Sequence, residues 1–319
     1  MEMTLEEALA KMKALKEERE AICEPWHSFW YHRPSRRFPP QTVQSPDEYD
    51  GSDRLCVACT QTDLSASAQK KLVERWCREL PQMTEVRYLW FQSKTTQAMF
   101  EAACRNPSLE GLYVKWGSIS SIDSLPQLKS LKYLHLSSAG IESLEPLSCM
   151  PQLVWLELCK ARGLRDLTPL SQLQNLEGLM LTGDTNSLGI CKTQTLRPLA
   201  SLKRLKWLVL RAFVAEDGSL DPLGTLSDLQ QLIVSNRFPV EEFARLSARL
   251  PDTECDAFIP HSEPLVHMGF KCKKCRIEHL VLLTGKASKS YLCPVCDAKR
   301  LAAHVAKFEA AAAAVRNAQ

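Results

Sequence analysis

The sequence predicts an α/β solenoid of 319 residues. A parallel β-sheet should line its concave face, helices should cap it, and a small cysteine-bound module followed by a helix should close the C-terminal end. Three observations carry this. The pattern L-x-x-L-x-L occurs at Leu131, Leu134, Leu136, again at Leu153, Leu156, Leu158, and again at Leu176, Leu179, Leu181, in steps of 22 and 23 residues. Periods of this length mark stacked repeats. The same phase runs upstream through Val86, Leu89, Phe91 and Leu109, Leu112, Val114, and downstream through Leu205, Leu208, Leu210 and Leu229, Leu232, Val234. Finally, Cys272-x-x-Cys275 and Cys293-x-x-Cys296 are separated by 17 intervening residues.

In chain order, residues 1–52 read as an N-terminal extension. A charged amphipathic helix is followed by Pro25 to Pro40, where Trp26, Phe29, Trp30, Tyr31 and Phe38 alternate with His27, His32, Arg33, Arg36 and Arg37. Such a segment is a strap along its own domain or a stacking platform for single-stranded nucleic acid. Residues 53–260 form the solenoid with its caps. The strand-like Leu55 to Cys59 and a helix over Ser65 to Leu80, with Leu72, Val73, Trp76 and Leu80 at helical spacing, cap the first coil. Val240, Phe243, Leu246 and Leu250 mark a closing helix ended by Pro251. The second half of each repeat, as in Ile141, Leu144, Leu147, is apolar at three-residue steps and suits short helical or 3₁₀ turns. Residues 268–319 hold the cysteine module and a helix over Ala298 to Val315.

From Pro81 to Pro251 the repeats resemble the leucine-rich repeat family in its short bacterial form. The Asn usual in that family after the strand is replaced here by Gly117, Ala139, Ala161, Asp184, Phe213 and Arg237. Without those side-chain amides the turns are expected to be looser. The longer step from Leu176 to Leu205 places an insertion within Asp184 to Thr195, expected to project as a loop.

Strand side chains alternate between faces, so the residues flanking each central Leu line the concave side. They include Tyr88, Trp90, Tyr113, Tyr133, His135, Trp155, Glu157 and Trp207, with Arg211 at a strand end. Trp, Tyr and Arg are the residues enriched in interface hot spots. These nine are the candidate partner-binding residues, with Trp155 and Trp207 as anchors pointing away from the leucine core. Intramolecular cover of the same face is the competing reading.

Cys272, Cys275, Cys293 and Cys296 have the spacing of a four-cysteine zinc site. Each pair can form a turn presenting two thiolates, and two turns complete a tetrahedral shell. His279 to Thr284 and Ser290 to Leu292 read as the strands of a hairpin between them. The segment Phe270 to Arg300 resembles a zinc ribbon, which implies one structural Zn²⁺. With four thiolates present, His279 and His304 read as ordinary polar residues. Cys56 and Cys59 sit on a strand, where residues three apart face opposite ways and do not chelate. Cys23, His27 and His32 are distant candidates to complete a site there. Eight Lys or Arg against two acids over residues 271–300 keep nucleic acid in view. The absence of an aromatic platform beside that charge favours a plain solvated module.

The function classes narrow accordingly. The formal charge of +3 points to no partner, there is no glycine-rich nucleotide loop, and no apolar run reaches membrane-spanning length. No triad or cofactor fingerprint is recognisable, so the chain reads as a cytoplasmic, non-enzymatic recognition or adaptor protein. Its partner is a protein on the concave face, without membrane or small-molecule substrate. Alternatives are an immunity protein that neutralises a toxin and a nucleic-acid binder acting through the basic ribbon.

Overall fold

A computed structural model describes residues 40–184, 189–266, 269–285 and 289–318. It divides into two compact units, Met1–Ile119 with Gln127–Ser137 and Ser120–Pro126 with Ser138–Gln319. Both are built of leucine-rich repeat coils.

In the first unit, β1 (Thr42–Val43), β2 (Arg54–Val57), β3 (Tyr88–Phe91), β5 (Gly111–Val114) and β7 (Tyr133–Ser137) pair in parallel in that order. A second, two-stranded pairing joins β4 (Thr95–Thr96) to β6 (Gly117–Ser118). Register puts Leu55, Leu89, Leu112 and Leu134 in one row, all buried. The capping helix α1 (Ala66–Glu79) begins at Ser65, whose side chain accepts from the Ala68 amide, and buries Trp76. The Trp76 indole donates to the Gln44 carbonyl at 2.8 Å, which ties the chain just after β1 to the cap. Helix α2 (Gln97–Cys104) buries Met99 and Phe100 within the next coil.

In the second unit β8 (Trp155–Cys159), β9 (Gly178–Thr182), β11 (Trp207–Arg211) and β13 (Gln231–Val234) pair in parallel in that order. The row Leu156, Leu179, Leu208, Leu232 is buried. Four 3₁₀ turns, Glu145–Cys149, Thr168–Gln172, Arg197–Ser201 and Asp221–Thr225, each carry Pro at the second position and a buried Leu at the third. Proline fits there because its preset φ suits the first turn, where an amide would lack an intrahelical acceptor anyway.

The turns lack the Asn ladder, and their backbone amides find other partners, with Lys160 and Ala212 in the left-handed region. The amides of Ala161 and Gly183 donate to the carbonyls of Thr182 and Arg211 on the next coil, each at 3.0 Å, and the Phe213 amide donates to Ser235 Oγ at 3.0 Å. The inserted segment does not simply project. Asp184 and Gly189 bridge each other, and β10 (Cys191–Thr193) pairs in parallel with β12 (Phe213–Ala215). The intervening residues 185–188 lie outside the described set, as does the aromatic and Arg-rich stretch up to residue 39.

The closing helix α3 (Val240–Arg249) buries Val240, Phe243 and Leu246, as its spacing predicts. The ribbon hairpin pairs β14 (Val281–Leu282) antiparallel with β15 (Tyr291–Leu292) over a small core of Val281, Leu283 and Leu292. Single bridges from His261 to Leu283 and from Leu265 to Leu280 add a third segment to it. Helix α4 (Ala298–Arg316) follows, burying Phe308 and Ala312. Its Lys307 pairs with Glu241 of α3 at 2.6 Å. Its His304 donates to the Pro260 carbonyl at 3.0 Å, the ordinary polar role expected of it.

Asn236 fastens the ribbon to the last coil: its Nδ2 donates to the Leu283 carbonyl at 2.8 Å, and its Oδ1 accepts from the Gly285 amide. Gly285 has φ +84° and a Cβ there would fall 2.6 Å from the Val240 backbone. Only glycine combines that left-handed conformation with so close an approach.

Candidate metal centre and the aromatic face of the coils

Parallel register builds the aromatic face in columns. In the first unit Arg54, Tyr88, Gly111 and Tyr133 form one column and Cys56, Trp90, Tyr113 and His135 the next. In the second, Trp155, Gly178, Trp207 and Gln231 stand beside Glu157, Met180, Val209 and Ile233. An aromatic, a glycine and an aromatic therefore follow one another in both units.

The openness expected of these side chains is corrected. Trp90, Tyr113, His135, Trp155 and Glu157 are buried; Tyr88, Tyr133 and Trp207 are half-buried; Arg211 is exposed. Alternation sets which face a side chain takes, not how much its neighbours fill. Tyr113 stacks on His135 at 4.3 Å, and Tyr88 stacks beside Trp90 at 6.4 Å. The Trp155 indole occupies the space above Gly178, where a Cβ would fall 2.1 Å from its ring. Trp207 packs on it from the other side at 5.5 Å. The Trp155 Nε1 donates to the buried Glu157 carboxylate at 2.8 Å, so the polar edge of the indole is satisfied where water is excluded. The signal missed in the sequence is Gly178, the only residue in its column that leaves room for an indole to lie down.

Charges frame the columns as bridged triplets. Glu110 pairs with Arg87 at 2.5 Å and Lys132 at 3.4 Å. Glu177 does the same with Arg204 at 3.3 Å and Lys206 at 3.1 Å. Burial, followed by the charge of Glu110, pushes the Tyr88 hydroxyl up to about 12.

The four ribbon cysteines come together, with all four sulfurs within 4.8 Å of one another. Each pair sits in a tight turn. The Cys272 amide donates to the Ile277 carbonyl at 2.9 Å and the Arg276 amide returns to the Cys272 carbonyl at 2.9 Å, with Arg276 in the left-handed region at φ +65°. At the second turn the Asp297 amide donates to the Cys293 carbonyl at 2.9 Å. Cys275 and Cys293 Sγ are 3.8 Å apart. A tetrahedron with metal–sulfur bonds of about 2.3 Å has edges of about 3.8 Å, so the donors fit a four-coordinate ion. Backbone amides of Cys275 and Lys274 hold the Cys272 thiol down at about 6, whereas burial and the neighbouring sulfurs push Cys296 up to about 12. Sulfurs so crowded cannot all ionise unless a cation joins them, and this cluster could hold one.

His279 stands outside the four-cysteine group and makes polar contacts with its sulfurs. Its Nε2 lies 2.9 Å from Cys293 Sγ and 3.3 Å from Cys275 Sγ. The signal was its position four residues after Cys275, at the start of the hairpin. Cys56 and Cys59 are buried on and just after β2, and burial pushes Cys59 up to about 12. They join no metal-ligating group among the described residues. Cys23, His27 and His32 lie outside those residues.

No protein-family model matches this sequence, and no curated protein is significantly similar to it. Solved structures are similar in part. Internalin C2 of Listeria monocytogenes is 25% identical with a TM-score of 0.41, over 50% of this chain and 64% of that one. Internalin F of the same organism is 18% identical with a TM-score of 0.37, over 55% and 61%. A leucine-rich repeat protein of Leptospira interrogans is 20% identical with a TM-score of 0.36, over 56% of each chain. The chain thus spans less than two thirds of the length of each. No helix among the described residues is long and apolar enough to cross a membrane.

Proposed function

We propose that the coils are a non-enzymatic scaffold for recognising a protein partner, with the C-terminal module held by one structural zinc ion. The observation that carries the partner reading is Trp207. It is half-open, held against the buried ring of Trp155, with the Lys206 ammonium 5.9 Å from its centroid, and the exposed Arg211 ends the same strand. An aromatic fixed in place before binding loses little conformational freedom on contact, which is how anchors contribute most. Tyr88 and Tyr133 offer similar half-open rings in the first unit. The zinc reading rests on the all-thiol donor set, which favours zinc over harder ions, and on the closed shell, which leaves no position for a reactive water. Unbridged cysteines elsewhere, half of those described buried, suit a reducing compartment such as the cytoplasm.

A photo-crosslinking residue placed at 207, at 211, or at the exposed Glu145 on a 3₁₀ turn tests the scaffold reading. One protein species captured from 207 and 211 and not from 145 is the expected result. Equal capture from all three, or none from 207, would refute it. Elemental analysis should find about one zinc ion per chain.

A further inference from the structure

Four of the large apolar side chains that remain exposed, Phe270, Ile277, Tyr291 and Val295, belong to the four-cysteine module. The core of its hairpin is made by Val281, Leu283 and Leu292, so the aromatic rings are not needed there. Phe270 and Tyr291, distant in sequence, stack on each other at 5.9 Å and 18°, and each is nearly half exposed. The fold thereby supplies the aromatic platform that the sequence does not show. Around it the module is basic. Lys271 and Lys274 meet Glu278 and Asp297 only loosely, at 3.8 and 3.5 Å, Lys289 acts on the same Asp297 from beyond ion-pair distance, and Lys273 and Arg276 have no carboxylate within 4.0 Å among the described residues.

Tyr291 also forms one wall of a cleft of about 780 Å³ between the hairpin and the last coils. Lys192, Arg237, Asn236 and Ser290 line it, and no carboxylate does among the described residues. An aromatic pair beside an acid-free cleft with two cations and two neutral hydrogen-bonding groups matches a polymer with flat bases and a phosphate backbone.

We propose that this face binds single-stranded nucleic acid. A base stacks on the exposed Phe270 and Tyr291 pair, and the neighbouring phosphates run into the cleft past Lys192 and Arg237. Single strands are specified because a paired base cannot offer its face to a ring. This activity is independent of the partner reading of the coils and engages none of the residues used there.

The test is fluorescence anisotropy with the zinc-loaded full chain and labelled DNA and RNA strands of about twenty nucleotides, alongside the duplex. Tyr291→Ala should weaken binding about tenfold, Tyr291→Phe should retain it, and the duplex should bind less tightly. Replacing Lys192 and Arg237 together by Glu should weaken binding and lower the slope of log affinity against log salt by about 1.5. Zinc content and thermal unfolding, measured for each variant, report on the fold. No binding at about 50 mM salt would overturn the proposal. So would unchanged binding by Tyr291→Ala and the double variant, because only diffuse attraction to lysines would then be at work. Equal affinity for duplex, or displacement of the strand by anionic vesicles at matched charge, would likewise overturn it.

Discussion

Trp155 and Trp207 belong to strands separated by β9, yet their indole rings meet at 5.5 Å across Gly178. The glycine removes the side chain that would otherwise part them. Trp155 becomes a packing residue on a face where alternation alone would leave it open, and Trp207 becomes the accessible half of the pair.

Truncating Trp155 should therefore act on stability. Trp155→Ala should cost about 3–5 kcal/mol in urea denaturation, as other buried aromatic truncations do, and Trp207→Ala clearly less. Gly178→Ala should cost about 1–3 kcal/mol by driving a methyl group into the ring. A Trp155→Ala chain within about 1 kcal/mol of the parent would contradict this packing.

Replacing Cys272 or Cys293 by Ser should lower bound zinc from about one ion per chain to near none and unfold the ribbon, while the coils keep their circular dichroism. Cys56→Ser should leave zinc content unchanged, because Cys56 is buried on β2 with its sulfur 3.3 Å from Thr42 Oγ1. Zinc lost from the Cys56 variant would place a ligand where the fold has none.

Asn236→Ala removes both bonds that fasten the hairpin to the last coil. About 2 kcal/mol should be lost locally, since the Gly285 amide and Leu283 carbonyl are left without their partner. Hydrogen exchange should quicken in residues 281–285 and leave β8 and β9 protected. Uniform quickening would show that the ribbon is not a separable module.

Buried thiols give a pH dependence with a definite sign. Burial pushes Cys59 and Cys191 up to about 12 from an ordinary value of 9.0. The folded state thus holds these protons more tightly than the unfolded one. Their contribution to stability is complete below pH 9 and is lost as pH rises towards about 12. In native protein at pH 8 the exposed Cys149 should react with a thiol reagent well ahead of both. Mass spectrometry of the labelled sites decides the order.

The repeat register was legible because inward leucines recur at one spacing and every coil reuses it, as Leu156, Leu179 and Leu208 do. The clustering of the four cysteines was legible because the spacing within each pair is local. What eluded the sequence was contact between residues far apart. Pairing of β1 with β2, the bridges from His261 and Leu265 to the hairpin, and the stacking of Phe270 on Tyr291 all join segments with no shared periodicity. His279 reaches the sulfurs because the hairpin aims it there, a placement that its neighbours in sequence do not fix.

The joint at Asn236 gives the cysteine cluster a reach beyond its own residues. Strand β13 would be a raw sheet border, open to pairing with another chain, were it not followed by the bridge from Gln231 to Glu254 and by the docked hairpin. If the cysteines hold the zinc ion proposed above, a chain stripped of it should lose the hairpin's internal bracing and with it part of that border's cover. Colloidal behaviour, and not only local order, is thus tied to the cysteine cluster: a metal-starved preparation should clump through β13 well before its leucine rows melt.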